Sequence, residues 1–404
     1  MIAAYGLVIA ARTHALDVRL PAGAVGDRVR VETRTGVVWT TVAAVDGARA
    51  TLLPLGDHRS AACGDRAVLE EGSNVAVLGA PLLGRAIDGD GAPLDGRAPP
   101  QGARIALRRA RTALAERQLP VLPLWTGVRA IDGLLTVARG GRVGVFGAPG
   151  TGKSILLERI ARDADIDAVV VAAVGERGDE AHRRLAALDV RTTLVCASSD
   201  RTAGERLAAG ELAFAHAERL RACGLDVLLV FDSLARYAQA AREIALGCGE
   251  ACGRGGYPPG VFARLAVLIE RAGATADGSI TLVASVLSEA DDAGDPLAEA
   301  ARSLLDGHIV LSRAAAEAGR FPAIDVGRSL SRTMQQVVDP VHAAAAARVR
   351  AALARLEESR DARAVGLVAP DPAEAAVAAF LRQGAEVSPA EETLRLLEAL
   401  ADTL

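Results

Sequence analysis

One short segment limits what this chain can fold into. Residues 143–157 read VGVFGAPGTGKSILL, which is an apolar run, then a glycine-rich loop, then an apolar stretch with helical spacing. Strand, phosphate-binding loop and helix follow one another in this order in P-loop nucleotide-binding proteins. The loop requires a buried parallel strand before it, so the segment predicts an α/β domain built on a mostly parallel sheet.

The use of lysine supports this interpretation. The chain has 46 lysine and arginine residues, and Lys153, inside the loop, is the only lysine. A lysine ammonium is a compact point charge that suits a phosphate cradle, whereas arginine is a planar fork. We therefore predict that ATP binds here, with Lys153 on the β- and γ-phosphates and the Ser154 hydroxyl on Mg²⁺. The predicted nucleotide-binding residues of the loop are Gly147, Ala148, Pro149, Gly150, Thr151, Gly152, Lys153, Ser154 and Ile155.

Length and composition restrict the class of protein. A chain of 404 residues is too long for one compact core and predicts two or three domains. Apolar runs end well before the roughly 18 residues of a membrane span, and no signal peptide is recognisable, so we expect a cytoplasmic protein. The five scattered cysteines indicate reduced thiols. A net charge of −4 with few aromatic residues argues against nucleic-acid binding.

The pattern along the chain divides it into three predicted domains. Residues 1–75 contain short β-branched runs, such as 29–33 and 37–42, between Gly and Asp turn signals, and predict a small β-barrel. Residues 76–339 alternate apolar runs with helical stretches and predict the P-loop core. Residues 340–404 are rich in Ala, Arg and Glu and predict a helical domain with breaks at Gly366, Pro370 and Pro372. The predicted core strands are 142–146, 168–174, 192–197, 226–231, 279–286 and 308–311.

Two carboxylates follow predicted core strands. Asp232 ends the apolar run 227–231, the position from which a Walker B aspartate reaches the magnesium shell; by itself it could equally be a helix-capping acid. Glu176 stands just after the run 168–174. A carboxylate there could polarise an attacking water, although an acid at a helix start is the commoner meaning of such a position.

Several motifs together carry a resemblance to a known family. The chain resembles the export ATPases of type III secretion systems, which comprise the injectisome and flagellar relatives of the rotary ATP synthase β subunit. The motifs cover residues 80–340 almost continuously. They are LLGRAIDGDGAPLDG at 82–96, TGVRAIDGLL at 126–135, GERG at 175–178, FDSLARYAQAAREI at 231–244, GYPP at 256–259, LLDGHIVLSR at 304–313 and FPAID at 321–325.

The resemblance implies roles for matching residues. It implies a RecA-like core in which Glu176 is the general base and Arg177 its catalytic neighbour. Asp232 is then the magnesium-shell acid, and Arg271, in the sequence IERA, contacts the γ-phosphate.

Two further positions follow from the same resemblance. Phe321 corresponds to an aromatic residue that stacks on adenine, with a buried core aromatic as the alternative. Arg332, in the sequence SLSR, resembles the arginine finger that reaches the site of the neighbouring subunit, with a surface ion pair as the alternative.

At the level of the whole protein the resemblance implies a Mg-dependent ATPase that forms a homohexamer. Hydrolysis would drive chaperone release and substrate unfolding, with stalk and regulator proteins, export chaperones and secreted proteins as partners. The place of action would be cytoplasmic, peripheral at the inner-membrane export apparatus. Three alternatives stay open: a flagellar export ATPase, a rotary synthase or ion-pump catalytic subunit, and a ring subunit that binds nucleotide without hydrolysis. A Rho-like helicase is disfavoured because the barrel has few aromatic residues.

The chain departs from the family pattern in three places. After GERG it has Asp179 and the sequence EAH where the family has Arg-Glu-Val, which places extra negative charge beside the predicted base. Residues 248–255 differ from the family's proline-containing loop, and residues 365–370 replace its Gly-Ala-Tyr segment. These departures concern the tuning of the base, the pore loop and partner recognition.

Overall fold

A computed structural model describes residues 5–70, 74–107, 112–288, 294–359, 367, 369 and 371–404. The chain forms two compact units. The first, called the barrel unit, comprises Met1–Thr112, Val170–Cys223 and Phe231–Arg271. The second, called the P-loop unit, comprises Ala113–Val169, Gly224–Val230 and Ala272–Leu404.

Strands and helices alternate through most of the described chain. The strands are β1 Tyr5–Ala11, β2 Leu16–Arg19, β3 Arg28–Thr33, β4 Gly36–Asp46, β5 Arg49–Pro54, β6 Arg66–Glu70, β7 Val75–Val77, β8 Ala86–Ile87, β9 Arg104–Ala106, β10 Arg117–Gln118, β11 Pro123–Leu124, β12 Val137–Ala138, β13 Arg142–Gly147, β14 Ala168–Glu176, β15 Thr192–Ser198, β16 Asp226–Asp232, β17 Gly273–Thr275, β18 Ser279–Leu287, β19 Gly307–Leu311 and β20 Ile324–Ser331. The α-helices are α1 Arg129–Leu134, α2 Lys153–Asp163, α3 Gly178–Ala186, α4 Ala203–Arg221, α5 Leu234–Gly247, α6 Pro259–Ile269, α7 Pro296–Leu304, α8 Arg313–Glu317, α9 Met334–Val337, α10 Pro340–Glu358, α11 Pro372–Leu381 and α12 Ala390–Asp402.

The barrel unit begins with a closed antiparallel barrel. Its strand order is β1-β2-β5-β4-β3-β6, and pairing of β6 with β1 closes it. Alternate residues point inward, as Val29 and Val31 of β3 do with no exposed surface, because side chains of a strand alternate between its two faces. The inward residues form one apolar cluster, which includes Leu16, Val18 and Leu52. Closure leaves the barrel without an open sheet edge.

The remainder of the barrel unit is of α/β type. The strands β14, β15 and β8 lie in this order, and β8 pairs in parallel with β15. Every residue of β14 is buried, which explains why its sequence is continuously apolar rather than alternating. Helix α4 begins at a capping box, in which the Thr202 side chain accepts from the Glu205 amide and Glu205 accepts from the Thr202 amide.

In the P-loop unit, β13 lies between two parallel neighbours. It pairs with β18 on one side and β19 on the other, and β20 is antiparallel to β19. The carboxyl ends of β13, β18 and β19 therefore lie at the same edge, and the loop that follows β13 begins there. The short strands β10 and β17 pair antiparallel beside β18.

Helices form the carboxyl-terminal part of the P-loop unit. Helices α10 and α11 both begin at an aspartate followed by proline, Asp339-Pro340 and Asp371-Pro372. Each aspartate accepts a hydrogen bond from an amide of the first turn, and proline is tolerated at the first helical position. Of the predicted breaks, Pro372 begins a helix, whereas Gly366 and Pro370 lie outside the described residues.

The predicted fold class, a barrel followed by a mostly parallel P-loop core and helices, is confirmed. In the described ranges, no helix has both the length and the apolar character needed to cross a membrane. The predicted core strands match β13, β14, β15, β16, β18 and β19 to within two residues at each end.

We expect Asp95 to stabilise the turn after β8 in a pH-dependent way. Its side chain, 5% exposed, accepts hydrogen bonds from Arg85 Nε at 2.6 Å and Nη2 at 3.1 Å, and this pairing holds the pKa of Asp95 well below its usual range. Asp95→Asn should lower the free energy of unfolding by about 2 kcal/mol at pH 7. Because a depressed pKa stabilises the fold only while the unfolded chain would be ionised, the loss should shrink as the pH falls below about 4.

Urea unfolding of the parent and Asp95→Asn at several pH values measures this difference. Asp57→Asn is the matched control, because Asp57 also pairs with an arginine but in full exposure to solvent, where ion pairs contribute little. A parent-to-variant difference as large at pH 3 as at pH 7 would contradict the prediction.

Candidate functional site

The loop between β13 and α2 has the backbone of a phosphate cradle. Gly150 and Gly152 have φ of 81° and 92°, values that favour glycine, and Gly152 immediately precedes the first residue of α2. The Thr151 hydroxyl donates to the Ala148 carbonyl at 2.8 Å and fixes the turn. At Gly147, a Cβ atom would lie 2.7 Å from Thr151 Oγ1 and 3.1 Å from Leu311 Cβ, so only glycine fits.

The cationic groups of the loop face its interior. Lys153 Nζ donates to the carbonyls of Gly147 at 2.6 Å and Ala148 at 2.8 Å, so the ammonium is held across the loop. Lys153 and Ser154 form the first turn of α2, where free amides and the helix dipole favour an anion. These features fit the predicted contacts of residues 147–155 with phosphate.

A cavity of about 430 Å³ opens beside the start of α2. Its lining includes Gly152 and Ile155 of the loop region, Phe321, and residues 383–385 of the carboxyl-terminal part. A Cβ built on Gly152 would lie 3.9 Å from Phe321 Cε1, and Phe321 is 47% exposed. Phe321 is therefore not a buried core residue; its ring borders a cavity large enough for a nucleobase.

Two residues that sequence reasoning missed hold the far wall of this cavity. Arg159 Nη1 donates to the Gly384 carbonyl at 2.6 Å, and Nη2 donates to the Glu386 carbonyl. Gln383 Nε2 donates to the Gly127 carbonyl at 2.8 Å, and its Oε1 accepts from the Arg129 amide at 2.9 Å. These contacts span more than 220 positions of sequence, so no local pattern could have revealed them.

The two predicted carboxylates belong to the barrel unit and share one arginine. Glu176 is the last residue of β14 and Asp232 the last of β16, and both are buried. Arg184 Nη2 donates to Glu176 Oε1 at 2.6 Å and to Asp232 Oδ2 at 2.5 Å. The structure thus brings the predicted base and the predicted magnesium acid together, as the ends of neighbouring strands would be.

Burial dominates the electrostatics of this pair. The pKa of Glu176 is raised because the carboxyl is buried and because the Asp232 carboxylate is close, while the positive charge of Arg184 acts in the opposite direction. Glu176 Oε2 is buried and has no hydrogen-bond partner among the residues that the structure describes. One oxygen of this carboxyl is therefore left for a group that the described protein does not supply.

Two other predicted site residues of the barrel unit, Arg177 and Arg271, have partners or positions apart from the pair of carboxylates. Arg177 is exposed and caps α3 with extended backbone. Arg271 contacts helix α4: its Nε and Nη2 pair with the Glu218 carboxylate at 2.8 and 2.9 Å, and its Nη1 with Glu211 at 2.8 Å. A contact of Arg271 with phosphate stays a prediction, and it requires that Arg271 leave these partners.

Arg332 lies at the opposite end of the sheet from the loop of its own chain. Gly307 pairs with both Val143 and Ser331, and the Arg332 amide donates to the Asp306 carbonyl at 3.0 Å. Arg332 therefore neighbours the start of β13, whereas the phosphate loop follows its end. At a rise of roughly 3.3 Å per residue the strand separates the two by about 17 Å. The exposed Arg332 side chain does not serve the phosphate loop of its own chain.

Comparison with known proteins places these features in a family. Residues 127–331 match the nucleotide-binding domain of the ATP synthase alpha/beta family. A flagellum-specific ATP synthase of Pseudomonas aeruginosa is 40% identical over 401 residues, covering 94% of this chain and 89% of that protein. A type 3 secretion system ATPase of Pseudomonas syringae pv. syringae is 40% identical over 424 residues, covering 97% of this chain and 93% of that protein.

Solved structures agree. The assembled ATPase EscN from the type III secretion system of enteropathogenic E. coli is similar with a TM-score of 0.92 and 37% identity, covering 98% of this chain and 100% of that chain. EscN in complex with its central stalk EscO is similar with a TM-score of 0.88 and 36% identity, covering 98% and 100%.

The close packing at Gly147 predicts a binding defect. Gly147→Ala should weaken the binding of a fluorescent ATP analogue about tenfold or more, because overpacking of about 1–3 kcal/mol would displace the loop. Gly327→Ala is the control: an ordinary contact with Asp325 at 3.5 Å is the closest that its Cβ would make. Equal affinities of the parent and Gly147→Ala in a fluorescence titration would show that this packing does not shape the site.

Proposed function

The chain belongs to the family of type III secretion and flagellum-specific ATPases, and from that premise we propose that its two carboxylates and its loop hydrolyse ATP in a ring that drives protein export. The resemblance recognised in the sequence is thereby confirmed. The chain is an ATPase of the export class. Named relatives of the secretion and flagellar kinds are both 40% identical, so the proposal is made for the class that they share.

The observation that carries the nucleotide part of this proposal is the loop itself. Its left-handed glycines and the helix start at Lys153 suit phosphates, and the cavity bordered by Phe321 suits a nucleobase. We propose that Phe321 contacts the adenine face and that Ile155, 71% exposed, packs beside it. Residues 147–154 then hold the phosphates through backbone amides.

Each unit offers an oxygen atom of the kind that binds magnesium. Mg²⁺ takes hard oxygen ligands and is usually held by one or two protein groups plus substrate phosphates. Ser154 offers a hydroxyl in the first turn of α2, and Asp232 offers a carboxylate at the end of β16. We assign these two residues to the metal, which when bound would neutralise charge on the phosphates.

We assign the general-base role to Glu176. One oxygen is held by Arg184 while Oε2 is buried without a hydrogen-bond partner among the described residues, so Oε2 can accept a proton from a water. When ionised, a carboxylate with a raised pKa is a stronger base than an exposed glutamate. On the strength of the family resemblance, Arg271 is assigned to the γ-phosphate and Arg177 to a catalytic role beside Glu176.

The position of Arg332 supports a shared site. Because the sheet separates Arg332 from the loop of its own chain, the finger role assigned to it requires a second copy. EscN forms an assembled structure and binds a central stalk, EscO. We propose that this chain forms a homohexamer, works with a stalk and regulators at the cytoplasmic side of an inner-membrane export apparatus, and acts there on chaperones and secreted proteins.

Two alternative functions, a rotary synthase or ion-pump subunit and a ring subunit that only binds nucleotide, can be distinguished from the proposed one by experiment. A rotary synthase or ion-pump subunit would assemble with a different partner subunit, so a homohexamer in native mass measurement contradicts it. A ring subunit that only binds nucleotide would release no phosphate. The buried pair of Glu176 with Asp232 favours hydrolysis over binding alone.

Two substitutions should separate binding from hydrolysis. Lys153→Ala should lose affinity for labelled ATP, because it removes the cation held across the loop. Glu176→Gln should keep the affinity of the parent but hydrolyse ATP about 100-fold more slowly or worse, because an amide is a poor proton acceptor. Single-turnover hydrolysis with concentrated protein gives the rate. Parent-like turnover in Glu176→Gln would contradict the assigned role of Glu176.

Mixed rings should show that the site is shared. Arg332→Ala and Lys153→Ala should each be nearly inactive alone. For Arg332→Ala we expect the ATPase rate to fall at least about 1,000-fold, because the proposed finger is removed. Mixing them should restore part of the ATPase rate, because a Lys153→Ala subunit supplies Arg332 to the intact loop of an Arg332→Ala neighbour.

The control is Arg328→Ala, an exposed arginine on the same strand, β20, which should keep parent activity. Activity of the parent should also rise steeply with protein concentration. A mixture no more active than its components, with both variants folded and assembled, would argue that each subunit has a complete site.

A further inference from the structure

The proposed function names Arg184 only as the partner of one Glu176 oxygen and assigns it no part in the hydrolysis. The Arg184 side chain is 6% exposed and lies between Glu176 and Asp232, whose side chains are 5% and 11% exposed. The same nitrogen, Nη2, contacts both, at 2.6 and 2.5 Å. Such a pair in low dielectric is a strong constraint, because removing one partner leaves a buried charge unpaired.

The geometry of α3 explains how a residue so far along the chain reaches the site. Helix α3 begins at Gly178, two residues after Glu176, and Arg184 stands almost two turns later. Side chains of a helix tilt toward its amino end, so the long Arg184 side chain extends back toward the end of β14. Its neighbour Arg183 is exposed.

The charges around this point are unbalanced without Arg184. The groups that act on Glu176 from the elements packed around it are Arg184 and Glu180 of α3 and Asp232 of β16, and the Cys196 thiol of β15 is also near. Among the groups that act most strongly on Glu176, Arg184 carries the positive charge. Position 179, next to the start of α3, is an aspartate, and the positive charge paired with Glu176 comes from Arg184, in a later turn of the same helix.

We propose that Arg184 is a positioning residue for hydrolysis, which holds the Glu176 carboxyl in a fixed orientation by binding Oε1 and so directs Oε2 to the attacking water. It makes no contact with the reacting atoms in this role; it acts through Glu176 and keeps two like charges close together. The inference rests on the general-base role proposed for Glu176. It predicts a defect in turnover rather than in nucleotide affinity.

The test compares three variants in steady-state ATP hydrolysis by the assembled protein. Arg184→Gln should lower kcat about 10-fold to 100-fold while KM for ATP stays within about twofold, because misorientation of a catalytic group affects the transition state. Arg184→Lys should recover at least half of the lost kcat on a logarithmic scale, because a point charge can still pair with Glu176. Arg183→Gln, the same change at the exposed neighbour, should match the parent.

Two results for Arg184→Gln would overturn the positioning role of Arg184. A parent-like kcat in Arg184→Gln would do so, as would a rise in KM without a change in kcat. If Arg184→Gln does not fold, Arg184→Lys decides: parent-like melting with a kcat lowered no more than 10-fold and an unchanged KM supports the positioning role, and parent-like melting with a raised KM, or with a kcat lowered more than 10-fold, contradicts it.

A double variant separates this inference from the proposed function. If Arg184 acts through Glu176, adding Arg184→Gln to Glu176→Gln should slow hydrolysis by less than about threefold further. A full 10-fold to 100-fold further loss would overturn the positioning role while leaving Glu176 as the base. Parent-like turnover of the single variant Glu176→Gln would instead contradict the proposed function, whatever Arg184→Gln shows.

Discussion

The parallel register of β13 with β18 and β19 is the constraint on which the nucleotide side of the structure depends. Parallel strands end at one edge, so the loop after β13 forms beside the ends of β18 and β19. The same register makes Gly147 a neighbour of Leu311 and excludes a side chain at position 147. The antiparallel return of β20 then moves Arg332 to the other end of the sheet. The same strand pairing thus positions the phosphate loop and separates it from Arg332.

In each of the two units a cation is held by a different kind of contact. In the P-loop unit, Lys153 crosses the loop and donates to two neutral carbonyl oxygens, which are weak partners that a phosphate can replace. In the barrel unit, Arg184 pairs with two buried carboxylates, which are strong partners. The first arrangement is suited to exchange of a ligand and the second to keeping two acids in place.

Much of the fold could be predicted from the sequence because buried parallel strands are continuously apolar. The predictions for β14 and β16 ended at residues 174 and 231, shortly before the structure ends these strands at Glu176 and Asp232. The strands were cut short because polar residues break an apolar pattern, yet those residues carry the chemistry. Gln383 could not be predicted, because its partner Gly127 lies 256 residues away in the sequence. Arg184 could not be predicted because its second partner, Asp232, belongs to a different strand, so its place between the two carboxylates depends on the sheet.

Because arginine almost completely replaces lysine in this chain, its buried cations Arg159 and Arg184 keep their positive charge. Burial lowers the pKa of Arg159, but an arginine starts so high that it stays charged at neutral pH, whereas a buried lysine can lose its proton. Arg159 and Arg184 can therefore hold carbonyls and carboxylates in low dielectric without a change of charge. Lys153 lies at a partly exposed loop, where a compact ammonium is more useful than a planar fork.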